Sequence, residues 1–226
     1  MRPIRFATAL VAALSPLLSA TLCAAAGAED CDRLAASPHD PARRGEGVPY
    51  AALDAPAAIA ACAAARDAAP EEPRFAFQLG RALAKAGRVE EALAAYRAAA
   101  ERGHLAALHN VAQLYEEGLL PAEGPATAVR WYLLAAERGF APSQLRLGLA
   151  YLAGEGIVAD ASKGLAWIAL AAGQGFAPAQ LVLGLAHEGG AGVARDLAAA
   201  RRWYAAAAAQ GMPEAQARLR ALGDPP

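Results

Sequence analysis

The side chains that most often carry out chemistry are sparse in this sequence, and they follow no catalytic spacing. The 226 residues include three cysteines and four histidines. The sequence contains no Gly-x-Ser-x-Gly, no His-Glu-x-x-His, no phosphate-binding glycine loop and no Cys-x-x-Cys. The Gly-x-Gly turns lack the preceding strand that a nucleotide-binding loop requires. We therefore expect no catalytic residue, no cofactor and no metal.

The histidines and the paired acids favour structural roles. No metal-ligand spacing links the four histidines, which are His39, His104, His109 and His187. The acidic pairs 71–72, 90–91 and 116–117 fall near predicted helix ends, and at the first two the negative charge suits the helix dipole. These pairs are interpreted as solvated charge and not as a general acid and base.

The first 28 residues have the pattern of a secretory signal peptide. A short basic start is followed by an apolar stretch over Phe6–Leu22 and by the small residues Ala26-Gly27-Ala28. Cleavage near Ala28 predicts a periplasmic or secreted protein with no membrane insertion afterwards. Retention of the segment as an anchor and lipidation of Cys23 are the two alternatives.

Cleavage would leave two cysteines, Cys31 and Cys62. An even pair in an exported protein is most simply a disulfide, although two free thiols are the alternative. The closed loop of about 30 residues would stabilise the fold by roughly 3–4 kcal/mol in the chain-entropy model.

The rest of the composition indicates an all-helical protein. Alanine, the best helix former, is abundant, and no alternating β-strand pattern appears. The formal net charge is −1, which gives no electrostatic signature for nucleic acid and no polybasic patch for an anionic membrane.

The only three tryptophans, Trp131, Trp167 and Trp203, are spaced by 36 residues, and several glycines keep the same step. A fixed period in this range indicates a repeat array. Each tryptophan stands four residues before an alanine, so that a large and a small residue share one helical face. Asp160 and Asp196 are placed to cap the second helix of their repeats.

Two repeat families resemble these stretches. Leu79-Gly80, Leu83, Gly87 and Tyr96 resemble a tetratricopeptide repeat. Leu147-Gly148, Gly154-x-Gly156, Asp160 and Trp167, with their counterparts 36 residues away, resemble the Sel1-like repeat family. The resemblance implies an α-solenoid of antiparallel helix pairs. It also implies a conserved set of packing residues in the repeats: Trp131, Trp167, Trp203, Tyr96, Tyr115, Tyr132, Tyr151, Tyr204, Gly148 and Gly184.

The predicted organisation follows from this alignment. Its parts are a signal peptide (1–28), a disulfide-stapled N-terminal cap with one degenerate repeat helix (29–73), a tetratricopeptide-like repeat (74–105), three Sel1-like repeats (106–141, 142–177 and 178–213) and a C-terminal capping helix with a tail (214–226). Solenoids need atypical ends because a terminal repeat has no neighbour to cover it.

In tetratricopeptide-like stacks the first helix of each pair lines the concave face, which predicts a groove. Its expected residues are Phe77, Arg81, Lys85, His109, Gln113, Glu116, Leu145, Leu149, Leu152, Leu185 and Glu188. For Leu149 and Leu152, core packing is the alternative to binding. Arg81, Lys85, Gln113 and Glu116 are the stronger groove residues, because a core would not accommodate them.

The resemblance implies a bacterial, non-catalytic scaffold that binds a protein or peptide partner and is itself a monomer. A regulatory subunit of an envelope sensor or hydrolase is the first alternative. A penicillin-binding or β-lactamase-like enzyme is the second, and it is disfavoured because such Sel1-like proteins carry a cysteine pair in each repeat. Here no repeat after residue 73 contains a cysteine.

Overall fold

A computed structural model describes residues 27–120 and 124–223, and within these ranges all the regular structure is helical. The eleven α-helices are α1 (27–35), α2 (Ala55–Ala68), α3 (Pro73–Lys85), α4 (Val89–Glu101), α5 (Leu105–Glu116), α6 (Gly124–Ala136), α7 (Ala141–Ala153), α8 (Ala161–Gly173), α9 (Ala177–Gly189), α10 (Leu197–Ala209) and α11 (Pro213–Ala221). A short 3₁₀ turn covers Tyr50–Ala52. The predicted all-α class is confirmed. Apart from residues 27 and 28, the predicted signal peptide lies outside the described residues.

The helix boundaries follow from local sequence signals. Asp160 and Asp196 cap α8 and α10, as expected, because each carboxylate accepts a hydrogen bond from the backbone N–H three residues later. Proline occupies the first turn of α7, α9 and α11, where its missing N–H costs nothing. Gly139, Gly175 and Gly211 follow second helices with φ between 84° and 86°, a left-handed conformation that favours glycine.

The helices stack in chain order as antiparallel pairs. Within the pairs α3–α4, α5–α6, α7–α8 and α9–α10 the packing is closest, and each pair also contacts the next. We call α3, α5, α7, α9 and α11 the first helices. Close packing needs glycine where two helices meet, since a Cβ at Gly184 would lie 2.5 Å from the ring of Tyr204 and one at Gly148 would lie 2.7 Å from the carbonyl oxygen of Gly164.

The core consists of alanines and aliphatic and aromatic side chains between paired helices. Tyr132, Tyr204 and Ile168 are at most 1% exposed, and they occupy the same position in three successive second helices. The tryptophans are only half-buried and pack at the edge of the core. Their packing role was predicted, but their partial exposure was not.

The N-terminal cap is closed by a disulfide and fastened to α3 by ionic and hydrogen bonds. A disulfide joins Cys31 of α1 to Cys62 of α2, and both side chains are fully buried. Asp32 of α1 accepts from Gln78 at 2.9 Å and pairs with Arg74 at 3.3 Å. Residues 36–54, which connect α1 to α2, are called the strap below. None of the described helices is long and apolar enough to cross a membrane.

Candidate functional site: the face of the first helices

A cavity of about 730 Å³ lies on the face formed by the first helices, which we call the first-helix face. Side chains from α3 and α5 form its floor, and strap residues close one side. Its walls are rich in aromatic and proline residues. The lining residues include Pro38, Pro49, Tyr50, Phe77, Tyr96, Phe140, Pro142 and Phe176, with polar atoms from His39, Arg81, His109, Asn110, Gln113 and Glu117. Cavities of this size and composition are typical of ligand sites.

Arg81 was predicted to be a groove residue, but it is only 4% exposed and holds the strap. Its guanidinium donates to the carbonyl oxygens of Ala35 at 2.6 Å and Val48 at 2.9 Å. The assumption that a core would not accommodate this arginine is therefore wrong, because two backbone carbonyls satisfy its donors. Burial lowers the pKa of Arg81, and the nearby Tyr96, Tyr50 and Asp40 oppose that shift.

The other two predicted groove residues of α3 also serve the strap. Lys85 is exposed, donates to the carbonyl oxygen of Ala51 at 3.4 Å and lies 5.3 Å from the ring centroid of Tyr50. Phe77 is 1% exposed and stacks on His104 with the ring centroids 4.4 Å apart. The strap therefore covers the part of the first-helix face that α3 forms.

A buried ionisable pair anchors the middle of the strap. Nε2 of His104 lies 3.2 Å from Oδ2 of Asp40, and both side chains are at most 2% exposed. The other carboxylate oxygen of Asp40 accepts from the backbone N–H of Ala42, which closes a turn in the strap. His104, which the sequence left without a role, thus fixes the strap to the start of α5.

His109 of α5 lines the cavity and is held in place from the other side. Its Nδ1 lies 2.9 Å from Oγ of Ser143, and its ring packs near Tyr132 and Phe140 at centroid distances of 5.2 Å and 5.5 Å. Burial, together with the positive charges of Arg146 and His39, lowers the pKa of His109 to about 3. The imidazole is therefore neutral at physiological pH.

The pair of Ser143 and His109 does not expose a nucleophile. Ser143 lies in the first turn of α7 and its side chain is fully buried, so that no substrate reaches its hydroxyl group. Within residues 27–120 and 124–223, no cluster of three or more histidine, cysteine or acidic side chains is arranged to hold a metal ion.

Two predicted groove acids belong to a repeated polar cluster. The hydroxyl of Tyr132 donates to Glu116 at 2.8 Å, and Arg146 forms an ion pair with the same carboxylate. The same arrangement returns 72 residues later, where Tyr204 donates to Glu188 at 2.5 Å and Arg218 lies 3.6 Å from that carboxylate. Burial and the neighbouring carboxylate raise the pKa of both tyrosines.

The leucines of the first-helix face divide between core and surface. Leu145 is buried at 8% exposure, whereas Leu149 and Leu185 are half-buried and Leu152 is 37% exposed. Leu149 packs at the edge of the core cluster around Leu165 and Ile168. Leu149 therefore packs in part against the core, and binding by the exposed sides of Leu149 and Leu152 stays a prediction.

Several polar side chains at the cavity have no hydrogen-bonding or ionic partner among the described residues, and two of them come from α5 and its C-terminal end. These two are the amide of Gln113, which was predicted, and the carboxylate of Glu117, which was not. The sequence analysis treated Glu117 as solvated charge at a helix end. Phe140 and Phe176 were not predicted as lining residues, although their 36-residue spacing is a signal that could have identified them.

The opposite face, formed by the second helices α4, α6, α8 and α10, also exposes apolar side chains. Leu134 is 43% exposed and Leu170 is 53% exposed, again 36 residues apart. A cleft of about 500 Å³ lies beside Leu134 and Trp131 and is bordered by Arg97, Glu101 and Arg138. This surface provides a natural control for experiments on the first-helix face.

Comparison with known proteins identifies the repeats. The Sel1 repeat model matches residues 105–140, 141–176 and 177–212. A Sel1 repeat protein from Oxalobacter formigenes superposes with a TM-score of 0.62 at 27% identity, covering 67% of this chain and 61% of that one. A protective antigen from uropathogenic Escherichia coli with an SLR fold gives a TM-score of 0.62 at 31% identity, covering 70% of this chain and 34% of the antigen.

An immunity protein from Pseudomonas aeruginosa shares the fold, with a TM-score of 0.55 at 22% identity over 85% of this chain and 66% of that one. No curated protein sequence matches this chain. The chain spans less than two thirds of the length of the Oxalobacter and Escherichia proteins. Residues 105–212 of this chain thus consist of three Sel1 repeats.

Proposed function

We propose that this protein is a non-catalytic scaffold that binds a protein or peptide partner on its first-helix face, outside the cytoplasm. The observation that carries the proposal is the 730 Å³ cavity on this face, where Gln113 and Glu117 have no partner among the described residues. Stacked repeats of this kind form extended binding surfaces, because each repeat contributes one helix to the same side.

The surface beyond the cavity supports the same function. Leu149, Leu152 and Leu185 offer partly exposed apolar area on the next two first helices. An apolar strip beside polar side chains suits the apolar side of a helix or an extended peptide. The ionic clusters at Glu116 and Glu188 flank this strip and fix its rigid edges.

The N-terminal cap supports a location in an oxidising compartment. A disulfide between α1 and α2 persists where thiols are not kept reduced, as in the bacterial periplasm or outside the cell. The named relatives are bacterial proteins, which is consistent with a periplasmic or secreted bacterial protein. We propose that the protein acts there as a monomer.

The test compares two matched pairs of substitutions in a pull-down from the native host's envelope fraction. Leu149→Gln with Leu185→Gln introduces the residue that Gln113 already supplies at the equivalent position of α5. Leu134→Gln with Leu170→Gln makes the same change on the opposite face. We expect the first pair to reduce partner recovery at least tenfold and the second to leave it unchanged. Loss of recovery only with the second pair would refute the proposal.

A further inference from the structure

The strap closes the cavity on one side, so the cavity ends at the strap and does not continue along the first-helix face beyond it. Pro38, His39, Pro49 and Tyr50 of the strap form one wall. The strap is held from beneath by Arg81, by the buried pair of Asp40 and His104, and by a hydrogen bond from the N–H of Val48 to Ala36.

The walls of the cavity define which side chain fits. Phe77, Tyr96, Phe140, Phe176 and Tyr50 surround a volume large enough for a bulky apolar group. Burial of such a group favours binding, and aromatic rings add specific contacts. The amide of Gln113 is free to bond with the main chain on either side of the inserted residue.

The charges at the cavity are asymmetric. Arg81 donates to the carbonyl oxygens of Ala35 in α1 and Val48 in the strap. Lys85 donates to the carbonyl oxygen of Ala51 in the strap, and the carboxylate of Asp40 faces His104. Glu117 remains as an exposed carboxylate at the cavity, without an ionic partner in residues 27–120 and 124–223. Glu117 lines the cavity together with Tyr50 and Tyr96 of the aromatic walls.

We infer that the cavity receives a bulky apolar side chain of a partner peptide whose adjacent residue is basic and pairs with Glu117. This inference rests on the proposed function and narrows it to a class of peptide. The apolar residue supplies affinity, and the lysine or arginine supplies selectivity, because an acidic neighbour would be repelled by the free carboxylate.

The test uses a random library of N-terminally acetylated heptapeptides, screened with the full chain with its disulfide closed. Acetylation removes the positive charge of the peptide N-terminus, so that any positive charge enriched in the screen belongs to a side chain. We expect enrichment of peptides that contain Phe, Trp, Leu or Met next to Lys or Arg. Fluorescence anisotropy on resynthesised peptides should show binding about three- to fivefold weaker when the basic residue is replaced by Gln, as for an exposed ion pair.

Three variants connect the binding to the cavity. Gln113→Trp fills the cavity from a half-buried position and should weaken binding at least tenfold. Glu117→Gln should abolish the preference for the basic peptide over its Gln counterpart, whereas Glu101→Gln on the opposite face should preserve it. Circular dichroism and thermal melting establish that all three variants remain folded.

The remaining outcomes overturn the inference. Enrichment of acidic peptides, binding that is unaffected by Gln113→Trp, or the absence of any cavity-dependent peptide would each contradict it. The proposed function would survive these results if the envelope partner were still lost with the Leu149 and Leu185 substitutions, so that the two failures are distinguishable.

Discussion

At the scale of single residues, the first-helix face combines side chains proposed to bind a partner with side chains that already bond to the rest of the chain. Arg81 is the clearest example, because a charged residue on a predicted groove position proves to be buried and bonded to the strap. Sequence periodicity located this position correctly. The periodicity could not predict that the strap, residues 36–54, would contact Arg81. That contact depends on the path of a segment that has no periodic pattern.

His109 gives a pH dependence to the stability of the fold. Its pKa of about 3 in the folded protein lies below the ordinary value of 6.5, so the unfolded chain binds a proton in this window that the folded chain does not. The contribution of a neutral His109 is complete above pH 6.5 and is lost as the pH falls toward 3. The slope for one proton is about 1.4 kcal/mol per pH unit.

We therefore predict that His109→Gln reduces the loss of stability between pH 7.5 and pH 5 by about 2 kcal/mol. Urea denaturation at the two pH values measures the free energy of unfolding. The unmodified protein, measured in parallel at the same two pH values, provides the control. An unchanged pH dependence in His109→Gln would show that this histidine titrates normally.

The two buried tyrosine hydroxyls should contribute measurably to stability. We predict that Tyr132→Phe and Tyr204→Phe each lower the free energy of unfolding by about 1–2 kcal/mol, because Glu116 and Glu188 lose a hydrogen bond. Tyr50→Phe, in a ring that is 48% exposed, should change stability by less than about 0.5 kcal/mol. Equal effects in all three variants would exclude a special role for the two clusters.

At the scale of helices, close packing within a pair depends on the residue that faces the second helix. We predict that Gly148→Ala destabilises the protein by about 1–3 kcal/mol, since its Cβ would lie 2.6 Å from Ile168 and 2.7 Å from a carbonyl oxygen of Gly164. Gly173→Ala, with open space around it at the end of α8, should be neutral or stabilising by about 0.5–1 kcal/mol. Thermal denaturation of both variants checks the contrast.

The strap should open when its guanidinium anchor is removed. We predict that Arg81→Met increases hydrogen exchange at the amide of Val48 at least tenfold, because the two bonds that hold Ala35 and Val48 are lost. Arg88→Met, on the exposed side of the same helix pair, is the matched control. If the amide of Val48 stays protected in Arg81→Met, the disulfide and the His104–Asp40 pair are sufficient to hold the strap in place.

At the scale of the whole molecule, the repeat period was sufficient to predict the solenoid. The glycines at helix ends, the capping aspartates and the tyrosine and tryptophan positions all recur at 36 residues, so each repeat supports the assignment of the others. The cavity could be predicted only in part. Gln113 and His109 follow from the periodicity, whereas its strap wall comes from a non-repetitive segment and leaves no periodic signal.

The central claim is that the first-helix face, and not the opposite face, binds the partner. Site-specific photocrosslinking tests it most directly, with a photoreactive amino acid placed in turn at Gln113, Leu149, Leu134 and Leu170. Illumination in the native envelope should yield the same covalent adduct from positions 113 and 149, and none from 134 and 170. Adducts from positions 134 and 170 alone would contradict the account and assign binding to the second helices.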